Sequence, residues 1–270
     1  MNLRRAAVVV FGLVASLGTG FARAEPGPRS LKQVVYVALE GERLVRGGSD
    51  AHASSSPALL VPELAYPALD WEPLGGRARA QPELLVELAR LFRPWQVELV
   101  TTRPAAGPYT MVVVGGRGEG VLGAAEGGIG ASPLDCENTQ PSDVSLVFAD
   151  RVDSPARLAL VIAHELGHTF GLEHVDDLQD IMYPTLSRTA CCFGQAELKG
   201  TSSCGRTVQD ARKILDQNLG LALSASDGTA ESPAAGCAVV PVGRGAASCA
   251  ALAFVALLTL LRRRRRPIRF

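Results

Sequence analysis

His164-Glu165-Leu166-Gly167-His168-Thr169-Phe170-Gly171-Leu172-Glu173-His174 fits H-E-x-x-H-x-x-G-x-x-H at every fixed position. Residues i and i+4 share one face of a helix, so His164 and His168 converge on one point. A continuing helix would carry residue 174 past that point. Glycine at 171 can end the helix and turn the chain, which returns His174 as a third ligand. Zinc accepts imidazole nitrogen, and a three-histidine set leaves a fourth position open, the mark of a catalytic rather than a structural ion. The expected cofactor is therefore one catalytic Zn2+. Glu165 follows the first ligand and points roughly 100° around the helix from it. That places its carboxylate beside the open position as a general base. H-E-x-x-H alone arises by chance, but the chain has four histidines and three of them are here.

The helix that carries the motif has a clear start. Asp153-Ser154-Pro155 sets a capping side chain before a proline at the first helical position. Leu158, Val161, Ile162 and Leu166 then form an apolar stripe leading to Phe170. Eight residues past His174, Met182 stands in Asp180-Ile181-Met182-Tyr183-Pro184.

Motif and methionine together resemble the metzincin zinc peptidases, in which a Met-turn lies beneath the metal. The order Met-Tyr-Pro resembles the matrixin branch. In astacin-like and serralysin-like members a metal-binding tyrosine sits two residues after the methionine; that position here is Pro184, so Tyr183 is not expected to be a ligand. The resemblance implies an α/β (α+β) fold over roughly residues 32–220: a mixed, mainly parallel twisted sheet, the active-site helix, and a small irregular C-terminal subdomain. It also implies a zinc endopeptidase in which Glu165 takes a proton from a zinc-acidified water and passes it to the leaving amine. Substrate would lie extended against an edge strand, placed at Gly128 to Ala131. The S1′ pocket is expected between the helix and about Pro184 to Cys192. Departures are plain too. Val175 follows the third histidine where matrixins often have serine. Only His52 remains for a second, structural zinc, so that site is expected to be absent. No cysteine precedes Cys136, so no cysteine-switch propeptide is read.

Outside the motif the body, residues 25–220, reads as alternating strands and helices. Gln33 to Glu40, Gln96 to Thr101, Tyr109 to Val114 and Ser145 to Phe148 are β-branched or apolar runs bounded by turn residues. Arg43 to Gly76 is rich in Ser, Pro, Ala and Gly and reads as a long, poorly ordered surface excursion. A helix is expected from Pro82, with Leu84, Leu85, Leu88, Leu91 and Phe92 inward, and a last one over Thr207 to Leu219, with Val208, Ala211, Ile214 and Leu215 inward. The glycine-rich stretch 115–130 is followed by no P-loop lysine and reads as a loop.

Both ends read as targeting segments. Arg4 and Arg5, the uncharged run Ala6 to Ala22, and Ala22-Arg23-Ala24 make a secretory signal over residues 1–24. The competing reading, an uncleaved anchor, needs a longer apolar run. After a 221–236 linker comes Gly236-Cys237, then Gly245 to Leu261, apart from Gly245 itself mostly apolar and without a charge, then five arginines at 262–266. Such a run is at the lower limit for a span, and the arginines would hold its end in the cytoplasm. The 237–270 segment resembles the MYXO-CTERM sorting tails of myxobacterial surface proteins, in which the cysteine is central to processing. Cys237 is thus a candidate for processing or anchoring.

Residues 1–24 carry three basic side chains, residues 237–270 carry seven, and neither carries an acid, which leaves 27 acids and 17 bases in residues 25–236. An acidic exported body is unsuited to nucleic acid. The four body cysteines, Cys136, Cys191, Cys192 and Cys204, suit an oxidising compartment. A bond between neighbours 191 and 192 is strained, so Cys136 is expected to reach one of them and Cys204 the other. A cysteine zinc site is the alternative, but the spaced C-x-x-C pairs are missing. The leading reading is an exported, surface-retained zinc endopeptidase acting on proteins or peptides, with membrane contact through its tail. A zinc-containing adhesion module that no longer cuts is the alternative, and the retained Glu165 argues against it. A membrane-embedded structural protein would account for the tail alone.

Overall fold

The structure, a computed structural model, describes residues 32–123, 127–185 and 187–222. The signal segment, the tail and Cys237 lie outside the described residues. Among those described, no helix is long and apolar enough to cross a membrane.

A five-stranded sheet organises the chain. Its strands are β1 (Gln33–Ala38), β5 (Val97–Val100), β6 (Thr110–Gly115), β7 (Gly130–Ala131) and β8 (Val144–Phe148), in the order β5-β1-β6-β8-β7. The first four in that order run parallel, and β7 closes one edge antiparallel to β8, with Gly130 opposite Val147. The expected fold class and edge strand are both present.

The sheet is buried on both faces, as parallel sheets are. On one face Val35, Val37, Val112, Val114 and Val147 pack with two helices, α1 (Arg77–Phe92) and α2 (Pro155–Thr169). On the other face Tyr36, Ala38, Met111, Val113, Leu146 and Phe148 meet Leu44, Ala51, Leu59 and Tyr66. Those last residues come from the expected excursion, and here the reading is corrected. Residues 42–66 form a second, three-stranded sheet: β2 (Glu42–Arg46), β3 (Ser55–Ser56) and β4 (Glu63–Tyr66). The apolar outer face of the main sheet requires a cover, and this small sheet supplies it. Arg103 ties it down, donating to Tyr109 Oη at 2.8 Å, Ser54 Oγ at 2.8 Å, Glu42 Oε1 at 3.2 Å and the Ala51 carbonyl. His52 packs edge-on against Tyr109.

Two helix boundaries also differ. α1 begins at Arg77 and holds Pro82 inside it. The carbonyl that loses its donor belongs to Ala78, an exposed residue in the first turn, where water can replace the bond. The last helix, α3 (Ala211–Leu219), starts only after β10 (Val208–Asp210), which pairs antiparallel with β9 (Gln195–Glu197). Asp210 caps α3 by accepting from Lys213 N. Ala211, Ile214 and Leu215 are buried as expected, but Val208 is exposed on its strand.

The disulfide reading is corrected as well. Cys136 bonds Cys204. The turn at 202–206 folds back against residue 136 and brings Cys204 to it in place of Cys191 or Cys192. The sulfurs of Cys191 and Cys192 lie 2.9 Å apart.

Candidate metal centre

α2 is laid against the sheet by Leu158, Ala159, Val161, Ile162 and Leu166, all fully buried. Ser154 caps it, accepting from Arg157 N, with Pro155 at the first position. The helix stops where the sequence says it should. Gly171 has φ +97°, and Leu172 N donates to Gly167 O at 2.8 Å. A Cβ at 171 would lie 2.6 Å from the Cys136 carbonyl oxygen and 2.7 Å from Asn218 Nδ2. Backbone angle and close approach therefore both require glycine.

That turn brings the three histidines together, with all candidate ligand atoms within 4.8 Å of one another. His164 Nε2 lies 3.2 Å from His174 Nε2. Two imidazoles on one tetrahedral zinc, each at about 2.0–2.1 Å, would be about 3.3 Å apart, so the spacing fits the ion. Tautomers are fixed by the surroundings. His164 Nδ1 sits 2.7 Å from the Ile181 carbonyl and His168 Nδ1 2.8 Å from that of Leu172. A carbonyl can only accept, so each Nδ1 carries the proton and each Nε2 offers its lone pair inward. Burial lowers the pKa of all three, to about 4 at His164, where the nearby His174 also contributes. Neutral imidazoles are the form that zinc needs.

Glu165 is 4% exposed, and burial raises its carboxyl to about 7, opposed by a hydrogen bond from Ser132. Ser132 Oγ donates to Oε2 at 2.7 Å. A divalent cation in the triad would pull the carboxyl the other way. The other oxygen lies against β7, where a Cβ on Gly130 would be 2.3 Å from Oε1. Met182 is fully buried beneath the helix, and a Cβ on Gly167 would be 2.5 Å from its Sδ. Its turn is held by the buried Asp180, which accepts from Met182 N at 2.8 Å and Gly194 N at 2.7 Å. Tyr183 Oη accepts from Lys199 Nζ at 3.3 Å.

A cleft of about 240 Å³ opens beside His168 and His174, bounded by Ser132, Leu134, Leu198, Lys199 and Thr201. Sequence reasoning missed Ser132, Glu173 and Asp180, and named Gly130 only as part of an edge strand. Only Asp180, an Asx-type residue two before the methionine, left a local signal.

Residues 120–198 match the family model described as Matrixin, a span of under a third of the chain. Among solved structures, metalloproteinase-II from Bacteroides fragilis is similar at 14% identity over 44% of this chain, with a TM-score of 0.28. The alignment takes in 45% of that protein, so the chain spans less than half its length. No curated protein shows significant sequence similarity. The matched segment contains the three histidines, Glu165 and Met182, so the whole of this centre lies in the part of the chain that is similar to matrixins.

Proposed function

We propose that this chain is an exported zinc endopeptidase that cleaves extended segments of extracellular or surface proteins and is retained at the cell surface by its C-terminal tail. The observation that carries the reading is the convergence of three neutral histidines, two of them anchored by carbonyls, beside a buried glutamate at the sheet's edge strand. His164, His168 and His174 would hold a zinc ion, which when bound would supply an acidified water and polarise a peptide carbonyl. Glu165, buried beside the triad, would serve as the general base, accepting a proton at its carboxylate and returning it to the leaving amine. Ser132 holds Oε2 during this transfer and leaves Oε1 as the acceptor. The substrate lies along β7, whose outer edge pairs with no other strand among the described residues. The signal segment and the apolar run ending in arginines support export and surface retention.

Cleavage of an unbiased peptide mixture by the purified protein, with zinc measured on the same sample, tests the reading. About one zinc per chain is expected, with cleavage abolished in Glu165→Ala and by chelation. Zinc without cleavage would favour the adhesion-module reading, and a protein without zinc would refute the centre itself. Cell fractionation of the intact chain and of one lacking residues 237–270 tests retention: the first should sediment with membranes and the second should be released.

A further inference from the structure

The five carbonyls from Phe170 to His174 all accept hydrogen bonds, and four of the five donors come from residues 199–218. Asn218 Nδ2 reaches Phe170 O at 2.8 Å, Arg206 Nη1 reaches Gly171 O at 2.6 Å, Gln209 Nε2 reaches Glu173 O at 2.9 Å, and Lys199 N reaches His174 O at 2.9 Å. The fifth donor is His168 Nδ1, to Leu172 O. Gln209 is fully buried and also accepts from Glu173 N at 2.7 Å. The third ligand is thus not held by its own helix. It rides on a strap that the C-terminal part of the domain clamps.

The Glu173 side chain ties that clamp together. It is 7% exposed and next in sequence to His174. Its Oε1 accepts from Ser203 N at 2.6 Å and Cys204 N at 3.2 Å, and its carboxylate accepts from Ser202 Oγ at 2.9 and 3.1 Å. Arg206 Nη1 is 3.9 Å from Oε2 while also holding the Gly171 carbonyl. A buried carboxylate persists only when so compensated. Its partners span the turn that delivers Arg206 to the strap, and that turn is anchored through Cys204 to Cys136.

We propose that Glu173 is a positioning residue for the third metal ligand: it fixes the 202–206 turn against the strap, and thereby sets how tightly His174 retains zinc. The inference rests on the reading that the triad binds zinc. Its effect passes through the ligand's orientation, so its readout is metal retention. Partners of this kind commonly alter metal affinity by about 10–100-fold.

The test is the rate of zinc release from the purified full chain to a chromophoric chelator, for wild type, Glu173→Ala and Glu173→Gln. Asp216→Asn serves as a control, because the Asp216 side chain accepts from Trp95 Nε1 at 2.8 Å and not from the strap or the 202–206 turn. Melting of the metal-free proteins is followed in parallel. Glu173→Ala should release zinc about 10–100-fold faster. Glu173→Gln, which keeps a neutral acceptor for the two backbone donors, should fall between it and wild type. Asp216→Asn should lower the melting temperature and leave release unchanged. Release from Glu173→Ala within twofold of wild type, or an acceleration matched by Asp216→Asn, overturns the proposal. If Glu173→Ala does not fold, unchanged release from Glu173→Gln does so. A wild type that binds no zinc would instead sink the underlying metal reading, so the two failures are distinct.

Discussion

Replacing Gly130 by alanine should disable the centre while leaving the fold intact. The added Cβ would lie 2.3 Å from Glu165 Oε1, 2.4 Å from Cδ and 2.6 Å from Cγ. Ordinary non-bonded contact begins near 3.5 Å, so the carboxylate must retreat by about 1 Å. It has little room, because Ser132 holds Oε2 and the residue is buried. A misplacement of that size can cost on the order of 10²-fold in rate, equal to about 2.7 kcal/mol of activation free energy. The backbone itself has no objection, since alanine is favoured over glycine within a strand by about 0.5–1 kcal/mol. The assay is kcat/KM on a fluorogenic peptide, with zinc content and melting temperature measured on the same preparation. The expected result is full zinc, a melting temperature close to wild type, and a loss near 10²-fold. Activity within threefold of wild type at full zinc would show that Glu165 is not seated against β7, and the placement argument would fail.

Three further outcomes follow from the same geometry. Ser132→Ala removes the hydrogen bond that opposes burial at Glu165, so the carboxyl pKa rises further and the acid limb of the kcat/KM profile should move to higher pH; an unmoved limb counts against the contact. Asp143 is raised from 3.8 to about 6, chiefly by burial, so the folded state binds its proton more tightly than the unfolded one. Stability contributed by this group is therefore greatest below about pH 4 and falls, by about 3 kcal/mol in all, as pH rises through 6; urea unfolding of Asp143→Asn should show a flatter dependence between pH 4 and 7. Losing the Cys136–Cys204 bond, with its sequence separation of 68, should cost about 4 kcal/mol in chemical denaturation of Cys136→Ser with Cys204→Ser, and no change in midpoint would refute a constraining role.

The metal set was legible because its logic is local: helical spacing aligns His164 with His168, and one glycine accounts for His174. The parallel strands were legible from their β-branched and largely apolar runs bounded by turn residues. The small sheet of residues 42–66 was not, since its strands are two to five residues long and half polar, and they are stabilised by what they cover. A signal was nonetheless present. Tyr36, Met111, Val113, Leu146 and Phe148 give the main strands a second apolar face, and that face implied an ordered partner. Thr207 to Asp210 misled because Val208, Ala211, Ile214 and Leu215 repeat at helical spacing although the first lies on a strand. Ser132 and Glu173 acquire their roles from partners about 30 residues away, beyond any local pattern, whereas Asp180 combines a local contact to Met182 N with a distant one to Gly194 N.

The placement of β1 within the sheet bears on how such a chain matures. Among the described residues it is the first strand made, yet both its neighbours come more than sixty residues later, with Gln33 pairing Val97 and Val35 pairing Thr110. Contacts so distant in sequence slow folding. The sheet cannot close, nor α2 find its bed, until residue 148 of β8 is available. A polypeptide threaded amino end first through a membrane, as proposed for this chain, would thus keep its histidine triad unassembled until well over half of it had left the compartment where it was made.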